Sequence, residues 1–363
     1  QTLKEHQFAD EWLASVWKTS FTQVRQHYKK RNIKPHYYMV DTCAGQFPAK
    51  TPYFYSSWYG EGELPTLKKQ HKKIVVIGSG PIRIGQGIEF DYCSVHSVLA
   101  LKKAGYETIL INNNPETVST DFEIADRLYF EPLTLEDVLN VIEHEQPDGV
   151  IIQYGGQTAI NLAKGLEEHG VPLLGTSQEI VDLFEDRERF YQFLQKLDIP
   201  HIPGETALNK EDLQQKCQQI GFPVLIRPSY VIGGQGMFIS EHEHDLMKRI
   251  EKIQYPVLID AYYRGKEVEV DAISDGKQVV NPAMSEHVEK AGVHSGDSMA
   301  ITPPITLSND IKEKVKQYTE KIAQAISFKG IFNIQFVIYE GVVYVLEVNP
   351  RASRTIPIAS KIS

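Results

Sequence analysis

The alternation of hydrophobic and polar positions changes character along the chain. Over residues 1 to about 36 the spacing is helical. Phe8-Ala-Asp-Glu-Trp-Leu-Ala-Ser-Val-Trp17 and Thr22-Gln-Val-Arg-Gln-His-Tyr28 predict two short helices parted by Lys18-Thr-Ser20. Residues 41–70 carry aromatics and turn formers (Asp41-Thr-Cys-Ala-Gly45, Tyr53-Phe-Tyr-Ser-Ser-Trp-Tyr-Gly60), and the polar stretch 60–69 reads as a linker and domain boundary. From Lys72 short apolar runs alternate with amphipathic stretches. Lys73–Ile77, Thr108–Ile111, Gly149–Gln153 and Val171–Gly175 predict buried parallel strands. Between them lie a helix with Val95, Val98 and Leu99 on one face and a second, capped by Thr134 with Asp137, carrying Leu135, Val138, Leu139 and Ile142. Strand alternating with helix implies a parallel sheet covered on both faces. After about residue 190 the strands lengthen. Pro223–Arg227 is a strand followed by the loop Gly233-Gly-Gln-Gly236, and Glu267-Val-Glu-Val-Asp271 alternates like a half-exposed strand. A helix over 309–326 precedes two strands, Phe332 to Ile338 and Val343 to Val348, which suggests an α+β unit.

Composition adds constraints. At 363 residues the chain holds two or three domains. No apolar run reaches the roughly 18–20 residues of a membrane span, and no signal segment opens the chain. Its first residue, Gln1, reads as a fragment or a processed form. Cys43, Cys93 and Cys217 show no CxxC spacing, which argues against a disulfide framework or a zinc site and for a reducing cytoplasm. A net charge of −9 argues against nucleic acid as a partner. The N-terminal helix pair, with its basic second helix, therefore reads as a packed segment with a solvated face, not a DNA reader.

Two clusters invite a chemical reading. Gly78-Ser79-Gly80-Pro81, with Gly85 and Gly87, sits where a strand turns into a helix. Its spacing is not G-x-G-x-x-G, Asn112-Asn113-Asn114 stand where a ribose-binding acid would be, and no Gly-Lys-Ser/Thr follows, so it reads as a scaffold turn. The second cluster is Glu347, Asn349 and Arg351 at a strand end. Alternation puts Glu347 and Asn349 on one face, where a carboxylate and an amide oxygen suit Mg²⁺ or Mn²⁺. A hairpin pairing Gln335 with Glu347 brings a third oxygen, and that register calls for a three-residue loop, Glu340-Gly341-Val342. Arg351 and Arg354 are placed to neutralise phosphoryl oxygens. Taken alone, the same string also describes a surface ion pair between Glu347 and Arg351. Arg227 suits phosphates or simply faces solvent; Glu267 suits ribose hydroxyls or is an exposed strand carboxylate. His294 gains interest from Ser295 and Asp297 in a glycine-flanked loop. With no G-x-S-x-G and no cysteine–histidine pairing, the implied chemistry is phosphoryl transfer by positioning and charge neutralisation.

Longer strings resemble the large subunit of the carbamoyl phosphate synthetase family. They are Gly78 to Cys93, Gln153-Tyr-Gly-Gly-Gln157, Arg227-Pro-Ser-Tyr230, Ala291 to Ser298, Glu347-Val-Asn-Pro-Arg351 and Val40-Asp-Thr-Cys-Ala44. The resemblance covers essentially the whole chain and is to the second half, which phosphorylates carbamate with ATP. It implies the tail of a helical oligomerisation domain plus linker (1–70), an α/β pre-ATP-grasp domain (71–190) and a C-terminally incomplete ATP-grasp domain (191–363). It implies Arg227 on nucleotide phosphate, Ala261 and Tyr263 beside adenine, Glu267 at the ribose, and Gly292, Val293, His294 and Ser295 lining the nucleotide. Gln335, Glu347 and Asn349 would hold the divalent metals of Mg-ATP, and Arg351 would serve the phosphoryl group. A K⁺ site would fall near Glu267, His287, Glu289 and Ser298. The partners implied are a glutaminase small subunit and further copies of the chain through the helical domain, in a cytoplasmic enzyme of pyrimidine or arginine synthesis. Where relatives often read Gly-Gly-Arg-Ala-Met-Glu, this chain has Gly233-Gly-Gln-Gly-Met-Phe238, so the loop's phosphate contacts differ. A biotin carboxylase relative is the second enzyme reading, and a catalytically silent scaffold or nucleotide sensor the non-enzymatic one.

Overall fold

The structure is a computed structural model that describes residues 1–48, 50–63, 71–83, 86–228, 236–293 and 298–362. Gln1–Ile82 and Gln86–Gln178 form one unit. It begins with three helices, α1 (Thr2–Glu5), α2 (Asp10–Trp17) and α3 (Phe21–Lys29). Lys18 ends α2 in the left-handed region, and Ser20 opens α3 through a capping box with Gln23, so the expected break falls where a stop and a start signal adjoin. Then follow β1 (His36–Met39), β2 (Tyr53–Ser57), β3 (Lys73–Ile77), α4 (Ile88–Lys103), β4 (Glu107–Ile111), β5 (Arg127–Tyr129), α5 (Leu135–Glu145), β6 (Gly149–Ile151), α6 (Gly156–Ile160) and α7 (Ala163–Glu168).

The strands make a six-stranded sheet in the order β1-β2-β5-β4-β3-β6. All neighbours are parallel except β1, which pairs antiparallel with β2. The sequence pattern missed β1 and β2, whose aromatics looked like loop. They are strands because Tyr37 and Phe54 pack their rings on Tyr129, with centroids 5.2 and 5.6 Å apart. Two further expectations change. Leu99 is 42% exposed, since it lies about 100° round α4 from buried Val98. Val171–Gly175 contributes only a single bridge, Leu173 to Val150.

Gly78 to Pro81 make a tight turn, as expected, while Gly85 lies outside the described residues. A side chain at Gly78 would strike Asn112, whose Oδ1 accepts the Gly80 N–H at 3.0 Å. Gln86 ties the turn to the start of α6, donating to the carbonyls of Ser79 and Gly155 and accepting from Thr158 Oγ1 at 3.1 Å. The polar linker read over 60–69 lies mostly outside the described residues.

The second unit is built on Glu179–Ser363. After α8 (Gln178–Glu185) and α9 (Arg187–Lys196) come β7 (Gly204–Ala207), α10 (Lys210–Ile220), β8 (Val224–Pro228), β9 (Phe238–Ser240), α11 (Glu243–Arg249) and β10 (Val257–Ala261). These strands form an antiparallel sheet, β7-β10-β8-β9, over a core of Leu213, Cys217, Ile226, Leu246 and Ile259. β11 (Lys266–Asp275), β12 (Val279–Lys290), β13 (Ala300–Ile301), α12 (Asn309–Ala325), β14 (Lys329–Tyr339), β15 (Val342–Asn349) and α13 (Ile356–Ile362) follow. Their five strands form an antiparallel sheet in the order β13-β12-β11-β14-β15.

One face of that sheet is apolar. Val268, Val270, Ile334, Phe336 and Val348 pack with Phe190 and Leu194 of α9 and Val315 and Ile322 of α12. The opposite face is polar and, contrary to the half-exposed strand expected, largely buried: Glu267, Glu269 and Asp271 are 7%, 8% and 2% exposed.

The β14–β15 hairpin corrects the expected three-residue loop. The loop has two residues, Glu340 and Gly341, with φ of 48° and 78°, and Tyr339 pairs with Val342. Two successive left-handed residues match the strand twist. Continued regularly, that register would set Gln335 opposite Leu346. A bulge shifts it by one residue, so Gln335 does pair with Glu347. The bulge occurs where Val345 also pairs on its outer side, donating to Pro200 O at 2.9 Å and bridging His201.

Candidate functional site

Register sets two rows across the polar face. Ser285, Glu269, Gln335 and Glu347 stand opposite one another on four successive strands, and Ala283, Asp271, Asn333 and Asn349 make the next row. Cross-strand partners share a face, so the oxygens of Gln335, Glu347 and Asn349 project to one side. Asn349 Nδ2 donates to Glu347 Oε1 at 3.1 Å, and Arg351 donates to Asn349 Oδ1 at 3.3 Å and to Ala352 O at 3.1 Å. The surface ion pair is thus replaced by a partly buried chain in which Asn349 stands between acid and base. Burial pulls the Arg351 pKa below the ordinary arginine value against the attraction of Glu347.

Arg227 comes to the same region from β8. Its guanidinium donates to Asp260 Oδ2 at 2.8 Å, and Arg187 binds the other carboxylate oxygen at 2.6 Å. Burial disfavours the Arg227 charge, but Asp260, and after it Glu347, outweigh burial and hold its pKa above the ordinary value. Asp260, between two guanidiniums, stays below the usual carboxylate range despite its own burial. Arg227 Nε is buried without a hydrogen-bond partner among the described residues. An orphaned cationic donor beside hard oxygens fits a phosphate ligand.

Glu267 is more committed than a ribose-facing acid was expected to be. Its Oε1 accepts the Gly292 N–H at 3.2 Å, and its Oε2 lies 3.3 Å from His287 Nδ1, out of hydrogen-bond alignment. His287 Nε2 is 3.5 Å from Glu269 Oε1. Burial works against the imidazolium, but the two acids dominate and push the His287 pKa up to about 9. Glu289 accepts from Ser298 Oγ at 2.8 Å and the Met299 N–H at 2.7 Å. Gly292, at φ 99°, leaves no room for a side chain beside Tyr262, while Val293 is 38% exposed. His294 and Ser295 lie outside the described residues, as do Gly233-Gly-Gln235 of the altered loop.

Ala261 and Tyr263 meet Ile202, Ala291, Val337 and the bulged Leu346 in an apolar cluster. The Ala261 N–H is already donated to Pro203 O at 2.8 Å, and the Tyr263 ring stacks on Tyr339 at 4.8 Å. Sequence reasoning missed Arg187, Asp260, Glu269, Asp271 and Asn333. Three of them had a readable signal: Asp260 closes the apolar run Val257-Leu-Ile259, and Glu269 and Asp271 continue the alternation begun at Glu267. Among the described residues no three His, Cys, Asp or Glu side chains converge as metal ligands. The candidate set instead has one carboxylate and two carboxamides.

Two family descriptions match the chain: "Carbamoyl phosphate synthase preATP-grasp domain" over residues 70–183 and "Carbamoyl-phosphate synthase L chain, ATP binding domain" over 186–363. The chain belongs to the carbamoyl phosphate synthase large-chain family. It is 58% identical over 364 residues to the carbamoyl phosphate synthase arginine-specific large chain of Halalkalibacterium halodurans, covering 99% of this chain and 35% of that one. Identity to the arginine-specific large chain of Geobacillus stearothermophilus is 60% over 364 residues (99% and 34%), and to that of Bacillus subtilis 54% over 362 residues (99% and 35%). The chain thus spans about a third of the length of these relatives.

Solved structures agree on the fold. A biotin carboxylase domain of 2-oxoglutarate carboxylase from Hydrogenobacter thermophilus, in complex with MgADP, ADP and bicarbonate, superposes with a TM-score of 0.64 at 21% identity, over 82% of this chain and 67% of that one. Biotin carboxylase from Campylobacter jejuni gives 0.63 at 19% identity, over 81% and 68%. The architecture is therefore pre-ATP-grasp followed by ATP-grasp, as the sequence resemblance implied. No described helix is long and apolar enough to cross a membrane.

Proposed function

We propose that this chain carries the carbamate-phosphorylating half of a carbamoyl phosphate synthase large subunit, acting on Mg-ATP. The observation that carries this is the pairing of Gln335 with Glu347 beside Asn349 and Arg351, with Arg227 electrostatically coupled to Glu347. Gln335, Glu347 and Asn349 would hold Mg²⁺ or Mn²⁺. A single carboxylate suffices for a metal that completes its shell with phosphate oxygens and water. Such a metal supplies charge neutralisation on the phosphates. Arg227, steadied by Asp260, would bind a phosphate. Arg351 would stabilise charge developing on the phosphoryl group in flight. The apolar cluster around Ala261 and Tyr263 would lie beside adenine, Glu267 would meet the ribose, and Gly292 to Ser295 would line the nucleotide.

The rest of the reading concerns the whole enzyme. Residues 1–70 would be the tail of a helical oligomerisation domain, 71–190 the pre-ATP-grasp domain and 191–363 most of the ATP-grasp domain. A glutaminase small subunit would supply ammonia, and further copies would associate through the helical domain, in the cytoplasm. The arginine-specific names of three relatives favour arginine over pyrimidine synthesis. A K⁺ site near Glu267, His287, Glu289 and Ser298 would have to accommodate the proton His287 already holds.

The test is ATP formation from ADP and carbamoyl phosphate by the full-length large chain. Glu347→Ala is expected to lower turnover at least about 10³-fold, the scale of removing preorganised charge from a phosphoryl-transfer site. Tight Mg-ATP binding without turnover in the wild-type enzyme would favour a nucleotide sensor instead.

A further inference from the structure

Between the end of β15 and the start of α13, residues 350–355 form the turn that carries both Arg351 and Arg354. The turn is fastened to a residue the phosphoryl-transfer reading does not use. Asp271 lies on β11 and is 2% exposed. Its Oδ1 accepts from Ser353 Oγ at 2.6 Å and from Asn333 Nδ2 at 3.0 Å, and its Oδ2 accepts from Thr355 Oγ1. The two hydroxyls lie 2.9 Å apart, and the Thr355 N–H donates to Ser353 Oγ at 3.2 Å. The Thr355 carbonyl then accepts the N–H groups of Ile358 and Ala359, at 3.0 and 2.9 Å, to begin α13.

A carboxyl group at the bottom of a sheet face is costly to bury unless every lone pair finds a donor. Filling space alone would be done better by valine. Two of the three donors to Asp271 come from the turn, so the group fixes the turn's height and rotation over the sheet. Arg351 is meanwhile held from its own strand by Asn349. The turn is thus tied to β11 through Ser353 and Thr355, and Arg351 is tied to Asn349 at the end of β15.

Resting on the proposed phosphoryl transfer, we propose that Asp271 is a positioning residue, anchoring the 351–355 turn through Ser353 and Thr355 so that its arginines meet the transferring group. The test compares Thr355→Val, which keeps shape and loses the hydroxyl, with Thr355→Ser, which keeps the hydroxyl; Ser353→Ala is the second disrupting variant. The full-length large chain with its small subunit is assayed for ATP formation from ADP and carbamoyl phosphate. Thr355→Val and Ser353→Ala are expected to lower kcat about tenfold with KM for ADP changed less than about twofold, the pattern of lost orientation. Thr355→Ser is expected to restore kcat. Amide hydrogen exchange over 351–355 in the nucleotide-free protein is expected to speed up in the Val and Ala variants and not in Ser. Wild-type kcat in Thr355→Val, or equal changes in Ser and Val, would overturn the proposal. A wild-type enzyme with no turnover would overturn the phosphoryl-transfer reading instead, and the exchange comparison would still decide whether Asp271 anchors the turn.

Discussion

Both sheets bury charge, and they do so to opposite effect. In the parallel sheet, Lys73 at the head of β3 is 2% exposed, and its ammonium donates to Glu145 Oε2 at 2.9 Å and to the Glu145 carbonyl at 3.1 Å. Glu145 is also met by Arg127 at 2.6 Å and by the Tyr129 hydroxyl, and Arg127 reaches on to Glu107 at 2.7 Å. Two cations meet two acids, and the set is closed. On the polar face of the antiparallel sheet, Glu267, Glu269, Asp271 and the half-buried Glu347 outnumber His287 and Arg351, and Arg227 leaves Nε unpaired among the described residues. The difference teaches that buried charge alone does not mark a site. An open set, with a surplus of oxygens and an orphaned donor, does, because such an arrangement is stable only if something else completes it.

The largest expected effect breaks the closed set. Lys73→Met leaves Glu145 short of one partner and is expected to lower folding stability by about 3–5 kcal/mol, measured by denaturant unfolding. Turnover per folded molecule should not change. Loss of turnover without loss of stability would mean that the parallel sheet has a chemical role.

The pH dependence sharpens the contrast. Burial pushes the Glu131 carboxyl, on which Ser56 donates its hydroxyl at 3.0 Å, up to about 7. A raised folded pKa means that its stabilising contribution is complete below the ordinary carboxylate range and is lost as pH rises through about 7. For His287 the folded pKa is again the higher one. Its contribution is complete below the ordinary histidine value and is lost as pH rises through about 9. Each is worth up to about 3 kcal/mol. Melting curves between pH 5 and 10 should therefore show two losses. Glu131→Gln should remove the first and His287→Gln the second; a single loss, or one that neither variant moves, contradicts the assignment.

The smallest effect is on affinity. Asp260→Asn keeps the shape of the double clamp and removes its charge. Arg227 and Arg187 then repel each other with less compensation, and Mg-ATP affinity is expected to fall about tenfold by calorimetric titration, alongside a lower melting temperature. Unchanged affinity would remove Arg227 from the phosphate site.

How much of this was legible in the sequence differs between the same two regions. The apolar runs of β3 and β4 announced themselves because strands buried on both faces have no polar alternation to confuse them. β1 and β2 did not, since aromatics between turn formers look alike in loops and in edge strands, and only packing on Tyr129 decides. The pairing of Gln335 with Glu347 was foreseen by a wrong route. The sequence suggested a longer loop, whereas the chain makes a two-residue turn and recovers the register with a bulge at Leu346. Turn length reads from Glu340-Gly341 alone, but the bulge depends on what lies beyond Val345, and that is tertiary. Glu347, Asn349 and Arg351 were legible because they are adjacent. Asp260 and Asp271 had a signal in the strand pattern, but what they hold was not legible, because their partners, Arg187, Arg227, Ser353 and Thr355, are 33 to 84 positions away.

The central claim is that the polar face is incomplete without metal and nucleotide. Calorimetric titration of Mg-ATP into the wild-type full-length chain and into Glu347→Gln tests it most directly. The expected result is affinity at least about tenfold weaker in Glu347→Gln, with the difference between the two proteins abolished when Mg²⁺ is withheld. Equal affinity of the two proteins in the presence of Mg²⁺ would contradict it.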